Sequence, residues 1–295
     1  MNEMLHGNRR RRKLVDRVAT GAIIAAGVGV VAPLLVILAF LFIKGLPALN
    51  LDLIRQNPGP AGDASNPGGI KNSIVGSAVL LALALAFGLP LAIATGVYLA
   101  EYGRTRLGFA IRFLVDVLAG VPSITIGLFV YTAVVLNMHK VQGLTGSDQS
   151  FTAFAGGIAL ALIMLPIVAR VTEEMLLLVP QITREASYAL GVPKWRTILT
   201  VVLPAASSGV LTGIVLASAR VAGEAAPLLF TALGNNFYST ALFRPIDALP
   251  LRIFNYALGP YDYQHEQAWA GAFILVMLVL VLSVGARLAL QRRTR

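Results

Sequence analysis

Six uncharged, mostly apolar intervals divide the chain and constrain its fold more than any other feature. Each interval places 20 to 29 residues between consecutive charged or His residues. A membrane-spanning helix needs about 20 apolar residues. The intervals therefore predict an all-α polytopic membrane protein with six transmembrane helices, near residues 18–43, 72–100, 112–137, 151–170, 201–233 and 267–287.

The composition supports this fold class. Only 13% of the 295 residues are charged and 57% are hydrophobic, whereas a soluble domain carries roughly a quarter charged residues. The formal charge of +10 would suggest nucleic acid as a partner of a soluble protein. Here the Lys and Arg residues cluster between the apolar intervals, which favours topology signals in a lipid bilayer and no nucleic-acid partner.

The basic residues also predict the orientation. With an even number of spans both termini lie on one side, and that side receives 17 of the 24 Lys and Arg residues, against 6 on the other. Because cytoplasmic loops are enriched in Lys and Arg, both termini are expected in the cytoplasm. The predicted organisation is a basic cytoplasmic arm at 1–17, a six-helix membrane domain at 18–290 and a basic cytoplasmic tail at 291–295.

Several catalytic signatures are absent from the sequence. The chain has no Cys, no P-loop motif and no metalloprotease motif, and its three His residues fall outside the predicted spans. A nucleotide site or a Ser/His hydrolase within the membrane is therefore not expected, and neither is a cofactor. Energy for any transport would come from a partner or from an ion gradient.

A polar, helix-compatible insert at 183–204 lies between the fourth and fifth spans. We expect Thr183 to act as N-cap, Glu185 to lie in the first turn, and Gly191 to end the helix. The small residues Ala186 and Ser187 allow another surface to approach closely. Two interpretations remain open: an ordinary capped loop, or a helix that docks into a partner's groove.

Two charges lie deep in the predicted fifth span. Arg220 and Glu224 are four residues apart, so they are expected to share one helix face. They could form a salt bridge that fixes subunit packing. Alternatively they could line a pathway, with Arg220 binding an oxyanion and Glu224 accepting a proton that the anion still carries.

Other polar positions have similar alternatives. Pro122-Ser123 interrupts the third span, either as a kink or as a backbone break that faces substrate. Asp116 is expected to pair with Arg112, four residues earlier, at the membrane interface. Glu173 is expected at a solvated helix end.

The insert resembles the EAA motif of ABC-importer permeases, E-A-A-x3-G-x9-I-x-L-P. The matching residues are Glu185-Ala186-Ser187, Gly191 and Val201-Val202-Leu203-Pro204, with Ser187 in place of the second Ala and Val201 in place of Ile. The resemblance implies a coupling helix, at about 183–191, that transmits closure of a cytoplasmic ATPase to the spans through Glu185, Ala186, Ser187, Gly191 and Pro204.

Most of the chain after residue 17 resembles the A-type permease subunits of phosphate-specific ABC transporters, which have the MetI-like permease fold. The similar stretches are 69–77, 98–102, 118–124, 184–191 and 219–232. One departure is Ala225, where that family has Thr, and it removes a hydroxyl near the expected pathway. The candidate translocation pathway, on the functional interpretation of the polar positions above, contains Arg220, Glu224, Pro122 and Ser123.

The resemblance also implies partners and a location. The partners are a homologous second permease subunit, two ATP-binding subunits that hold ATP and Mg, and a periplasmic phosphate-binding protein. The location implied is a bacterial inner membrane, crossed several times by the chain. Three alternatives stay open: an importer permease for another oxyanion, an ion-coupled secondary carrier, and a membrane enzyme, which the missing His and metal ligands disfavour.

Overall fold

The computed structural model describes residues 2–138 and 150–293. The predicted connection that contains His139, and the last two residues of the predicted tail, lie outside these ranges. Within them the chain is helical and forms no strand. The helices are α1 Asn2–Gly45, α2 Leu51–Arg55, α3 Lys71–Tyr102, α4 Arg106–Gly120, α5 Ser123–Val130, α6 Ala153–Leu177, α7 Gln181–Ala189, α8 Lys194–Thr197, α9 Leu203–Ala222, α10 Ala226–Thr231, α11 Leu249–Ala257 and α12 Asp262–Arg293.

The all-α, multi-span prediction is confirmed. Five helical segments are long and apolar enough to cross a membrane alone: Arg11–Gly45, Lys71–Tyr102, Ala153–Leu177, Lys194–Ala222 and Asp262–Gly285. The segment Lys194–Ala222 joins α8 to α9 through a π-helical turn, Ile198–Val202. The bent pair α4–α5 supplies a sixth span when its two arms are counted as one.

Helices α3 and α6 form the centre of the bundle, and small residues let them approach closely. The buried positions of α3 recur every fourth residue and include Gly88, Ala92 and Gly96. A Cβ atom at Gly96 would lie only 2.6 Å from the carbonyl oxygen of Ala169 on α6. Without a hydrophobic driving force between helices in lipid, such close backbone packing holds them together.

Helix α1 lies at the periphery. Only 6% of the residues in its most apolar stretch are buried inside the protein, against 61% for the corresponding stretch of α6. It packs along α12, where the rings of Phe42 and Phe273 meet edge to face with centroids 5.1 Å apart. Its backbone is helical from Asn2, so the predicted basic arm continues the first span without a break.

The third span is broken, as the Pro122-Ser123 pair predicts. Helix α4 ends at Gly120, α5 begins at Ser123, and the two helices are bent by 106°. Proline removes a backbone donor and disfavours helical geometry in the preceding residue, which here is Val121. The change of direction is far larger than a simple kink.

The fifth span is shorter than the predicted 201–233. Helix α9 ends at Ala222, because Gly223 caps it, and the short helix α10 follows. The chain then returns to the start of α6, where the amides of Ala153 and Phe154 donate to the carbonyls of Arg244 and Leu242 at 3.0 and 2.9 Å.

The spacing of Leu249, Ile253 and Phe254 in the sequence suits a helix that lies on the membrane interface. Helix α11 forms there, but Leu249 and Leu251 are fully buried. The helix packs against α12 and α3, so these two leucines are buried against protein, whereas Phe254 is 44% exposed.

Candidate coupling surface and translocation site

Two ends of the bundle hold the polar residues of interest. The α7 end comprises the last turns of α3 and α6, the start of α4, and helices α7 and α8. The α11 end comprises the start of α3 and α6, the segment 232–248 and α11. Helix α9 runs from the α7 end towards the α11 end as part of the unbroken segment Lys194–Ala222.

Helix α7 corresponds to the predicted coupling helix, shifted by two residues. It spans Gln181–Ala189 with Pro180 at the N-cap, so the prediction of Thr183 as N-cap is wrong. The fixed φ of proline suits a helix start, and its missing amide costs nothing there. Gly191 has φ of +78°, a left-handed conformation that favours glycine and ends the helix as expected.

One face of α7 is exposed and carries apolar side chains. Glu185 and Ala186 are exposed, and they lie between Ile182, which is 73% exposed, and Leu190, which is 84% exposed. Residues spaced by three and four positions share a helix face. The sequence analysis did not single out Ile182 and Leu190, although each lies four residues from Ala186. Two large apolar side chains therefore lie exposed on either side of Glu185 and Ala186.

Ser187 does not belong to this exposed face. It is 7% exposed, and its hydroxyl lies 2.9 Å from the hydroxyl of Thr197, which is fully buried. The expectation that Ser187 opens the helix to a partner is therefore wrong. Its hydroxyl fixes α7 to α8 on the inner side, which gives a structural reason for Ser where the motif has Ala.

Pro204 lies at the start of α9, on its exposed side. A proline inside a helix clashes with the carbonyl four residues earlier, here Thr200. The π-helical turn Ile198–Val202 includes that residue and loosens the hydrogen-bond ladder there. The helix consequently passes Pro204 and continues to Ala222.

The ion pairs between α4 and α6 differ from the predicted ones. Arg112 binds Glu173 with an Nη2–Oε1 distance of 2.5 Å, and Arg170 binds Asp116, with an Nε–Oδ1 distance of 2.8 Å. Asp116 therefore pairs across helices and not with Arg112. Glu173 is only 3% exposed, so its expected position at a solvated helix end is also wrong. These pairs hold the third span against the central helix.

Arg220 and Glu224 do not share a helix face. Arg220 is in the last turn of α9, whereas Glu224 follows the Gly223 cap in non-helical backbone. Within residues 2–138 and 150–293 neither side chain forms an ion pair, so the salt bridge, one of the two alternatives, is not formed in this structure. Arg220 is exposed, and Glu224 lines a small cavity together with Ser77 and Leu160.

The two chain breaks lie close to each other. Ser123 begins α5, and four residues later a Cβ atom at Gly127 would lie 2.6 Å from the Cα of Pro227. Pro227 is in α10, three residues after Glu224. Pro122 is exposed and Ser123 is half-buried. The breaks after α4 and after α9 are therefore joined by the tight contact between α5 and α10.

A separate buried ion pair stabilises the α11 end. Asp247 and Arg252 have side chains that are 1% and 7% exposed, with an Nη2–Oδ2 distance of 2.5 Å. Ser73 of α3 donates to the same carboxylate oxygen at 2.5 Å. Burial raises the pKa of the Asp247 carboxyl above its ordinary value, and the charge of Arg252 opposes that rise.

The whole constellation matches a known family of membrane proteins. Residues 88–295 match the sequence model of the family described as "Binding-protein-dependent transport system inner membrane component". The chain is 48% identical over 250 residues to a phosphate transport system permease protein PstA of Xylella fastidiosa, covering 84% of this chain and 83% of that protein. The PstA protein of Yersinia pestis is 47% identical, with 85% and 81% covered.

More distant proteins agree with these relatives. A probable phosphate transport system permease protein PstA of Methanocaldococcus jannaschii is 36% identical, with 95% of both chains covered. The structure is also similar to a chain of the MetNI methionine ABC transporter in an inward-facing conformation, with a TM-score of 0.55, 19% identity, and 77% and 95% of the two chains covered. A chain of a bacterial ABC transporter involved in alginate import gives a TM-score of 0.55, 17% identity, and 91% and 97% covered.

The solved structures show that the fold is that of an ABC-transporter permease. The family match covers more than half of the chain, and the relatives are similar over most of their length. This multi-pass membrane protein therefore belongs to the family of binding-protein-dependent transport system inner membrane components.

Proposed function

We propose that the chain is a permease subunit of an ATP-driven importer for inorganic phosphate and forms half of its translocation pathway. Relatives that are named as phosphate transport permeases support the substrate. The observation that carries the proposal is Arg220, an exposed guanidinium that no carboxylate of the described residues neutralises, in the last turn of a helix long and apolar enough to span the membrane. A charge within a span costs about 2.5–3.5 kcal/mol, so such a residue usually serves function.

Energy enters from partner subunits. The sequence has no P-loop, so ATP and Mg are bound by two ATP-binding subunits and the permease itself hydrolyses nothing. Those subunits dock on the exposed face of α7, formed by Ile182, Glu185, Ala186 and Leu190. The bias of basic residues makes the α7 end cytoplasmic and places both termini there.

The remaining partners complete the pathway. A second, homologous permease subunit supplies the other half, and a periplasmic phosphate-binding protein delivers the anion to the α11 end. The complex lies in a bacterial inner membrane, with the domain 18–290 in the bilayer and the basic arm and tail in the cytoplasm.

The chemistry proposed for the pathway follows from the residues at the ends of α4 and α9, where the two helices are interrupted. Arg220 presents a planar fork that forms paired hydrogen bonds with a phosphate oxyanion. Glu224 accepts the hydrogen bond from the proton that hydrogen phosphate still carries. Pro122 and Ser123 interrupt the third span, and non-helical backbone at membrane depth is tolerated where it lines a cavity. These four residues form the proposed translocation site.

The test is phosphate uptake by the purified complex in proteoliposomes. We expect Arg220→Leu to abolish uptake while the other subunits still co-purify, because the change removes the anion-binding charge. Arg220→Lys, the matched control, keeps the charge but loses the fork and should retain partial uptake. Normal uptake by Arg220→Leu would overturn the proposed pathway.

Substrate and coupling need separate measurements. Unlabelled phosphate, and not sulfate, should compete with labelled phosphate, whereas competition by sulfate alone would indicate a permease for another oxyanion. Glu185→Lys should release the ATP-binding subunits during purification because it reverses the charge on the α7 face. Uptake by this chain alone under a proton gradient would instead indicate a secondary carrier.

A further inference from the structure

One carboxylate at the α7 end contacts two other helices. Glu101 lies in the last turn of α3, and its side chain is only 6% exposed. Its Oε1 atom accepts from Arg184 of α7, with distances of 3.2 Å to Nε and 3.1 Å to Nη2. Its Oε2 atom lies 3.9 Å from Nζ of Lys194, the first residue of α8. The end of α3 is thereby tied to both α7 and α8.

Arg184 extends this cluster to a fourth helix. Its Nη2 atom donates to the carbonyl of Leu176 in the last turn of α6 at 2.8 Å, and Nη1 donates to the carbonyl of Val179 at 2.5 Å. Carbonyls at a helix C-terminus have no partner within the helix, so a buried cation there satisfies them. Arg184 therefore occupies the inner face of α7, opposite the exposed face.

Lys194 provides a second attachment to α3. Its Nζ atom donates to the backbone carbonyl of Glu101 at 2.9 Å and lies 3.9 Å from the centre of the Tyr102 ring. Lys194 is also the first residue of the unbroken helical segment that reaches Ala222, just beyond Arg220. The attachment therefore links the start of the Arg220-bearing span to the end of α3.

The chain itself joins α7 to its neighbours through short turns. Pro180 precedes α7, and Gly191, with its left-handed backbone, follows it. The Ser187–Thr197 hydroxyl pair joins α7 directly to α8, whereas Arg184 and Lys194 are joined through Glu101 of α3. Without Glu101, backbone rotation at Pro180 and Gly191 would allow α7 to move without moving α3 and α8.

We propose that Glu101 is a positioning residue that makes α7 move as one body with the end of α3 and the start of α8. A displacement of α7 by the ATP-binding subunits then reaches two spans, α3 and α8–α9, and not only the one that follows α7 in sequence. This inference rests on the proposed function for the origin of the force. The Glu101 cluster, defined as Glu101, Arg184 and Lys194, is distinct from the exposed docking face.

The first test measures coupling in the complete reconstituted complex. Glu101→Ala should lower the phosphate transported per ATP hydrolysed by about tenfold, a typical size for coupling between sites. Glu101→Gln keeps one acceptor and should give an intermediate ratio. A role in folding alone would lower the yield of complex and leave the ratio unchanged. Asp116→Asn is the matched control, because that carboxylate pairs with Arg170 and so joins α4 to α6 rather than to α7.

The second test does not depend on the substrate. The chain contains no Cys, so spin labels can be placed at Ala189→Cys on α7 and Leu91→Cys on α3, both exposed positions. The distance distribution should be narrow in the complex with and without ATP, and Glu101→Ala should broaden it.

The outcomes separate the two proposals. An unchanged distribution and an unchanged transport ratio in Glu101→Ala would overturn the role of Glu101 even if phosphate uptake is normal. A distribution that broadens in Glu101→Ala, in a complex whose wild-type form does not transport phosphate, would support the role of Glu101 and refute phosphate as the substrate.

Discussion

The two ends of the bundle each contain a buried ion pair, but the surroundings of the two pairs differ. Each buries a carboxylate against an arginine: Glu101 with Arg184 at the α7 end, and Asp247 with Arg252 at the α11 end. The α11 pair is enclosed, since Arg252 also donates to Asn236 at 2.8 Å within the same end of the chain. The α7 cluster is open, because Lys194 is 42% exposed and its neighbouring helix presents apolar side chains outward.

The difference in solvent exposure indicates that the two charge clusters have different roles. A charge pair surrounded by its own chain contributes to stability and fixes the arrangement of α3 and α11. The Glu101 cluster joins α3, α7 and α8 beside an exposed face of α7, where binding of a partner could displace them together. Substitutions of the Asp247–Arg252 pair should therefore change stability, whereas substitutions on the exposed face of α7 or at Glu101 should change binding or coupling more than stability.

The largest expected effect is at the enclosed pair. Arg252→Met leaves Asp247 buried without its partner, which should lower the free energy of unfolding by about 3–5 kcal/mol. Thermal unfolding in detergent measures the loss. The double variant Asp247→Leu with Arg252→Met removes both charges and should recover much of it. If the double variant is as unstable as the single one, the unpaired charge is not the cause.

The same variant should be sensitive to pH. Burial raises the pKa of Asp247, so without Arg252 the folded state binds a proton more tightly than the unfolded state does. Stability of Arg252→Met is then highest at low pH and is lost as the pH rises through the folded-state pKa. We expect a smaller deficit from wild type in mildly acidic buffer than in neutral buffer, measured by the same unfolding assay.

The next effect tests the open end. Ile182→Ser and Leu190→Ser should each weaken binding of the ATP-binding subunits by about tenfold or more, if these side chains are buried anchors of the interface. Because both are more than 70% exposed in this chain, its unfolding temperature should hardly change. Pull-down titration measures the affinity, and Leu178→Ser, another exposed leucine at 72%, serves as the control outside α7.

A smaller effect is expected between α7 and α8. Ser187→Ala leaves the buried hydroxyl of Thr197 without this partner and should cost about 1–3 kcal/mol of stability. Adding Thr197→Val should bring the cost back towards zero, since both partners are then apolar. Stability that is unaffected by Ser187→Ala would show that the hydroxyl pair contributes nothing.

The smallest effect is expected at the pair between Arg170 and Asp116. The Asp116 side chain is 48% exposed, and partly solvated pairs contribute less than about 1 kcal/mol. Asp116→Asn should therefore unfold near the wild-type temperature. A loss comparable to that of Arg252→Met would remove the distinction between enclosed and open charges.

Local sequence patterns predicted much of the functional geometry. The spacing of apolar intervals located five long apolar helices and the bent pair α4–α5, because lipid requires about 20 apolar residues whatever the neighbours are. The end of the coupling helix at Gly191 and the break of the third span at Pro122 were predicted correctly. Both depend on local properties, a left-handed backbone for Gly191 and a missing amide hydrogen for Pro122. The polar helix was located to within two residues for the same reason.

Local sequence patterns could not predict which side chains that are distant in sequence pair with each other. Glu173 was expected in solvent and Asp116 beside Arg112, because the sequence shows only neighbours along one helix. The structure pairs both across α4 and α6. Ser187 was assigned to the outer face, yet its direction depends on where Thr197 lies.

The sequence by itself indicated which apolar segments could cross the membrane and that the third is interrupted at Pro122, and it contains no P-loop motif. Each of these follows from composition and backbone chemistry over a few residues. Only the tertiary structure decided which charges meet, because packing selects partners that are distant in sequence. It ended the Arg220 helix at Ala222, separated Arg220 from Glu224, and brought Glu101 to Arg184, 83 residues away.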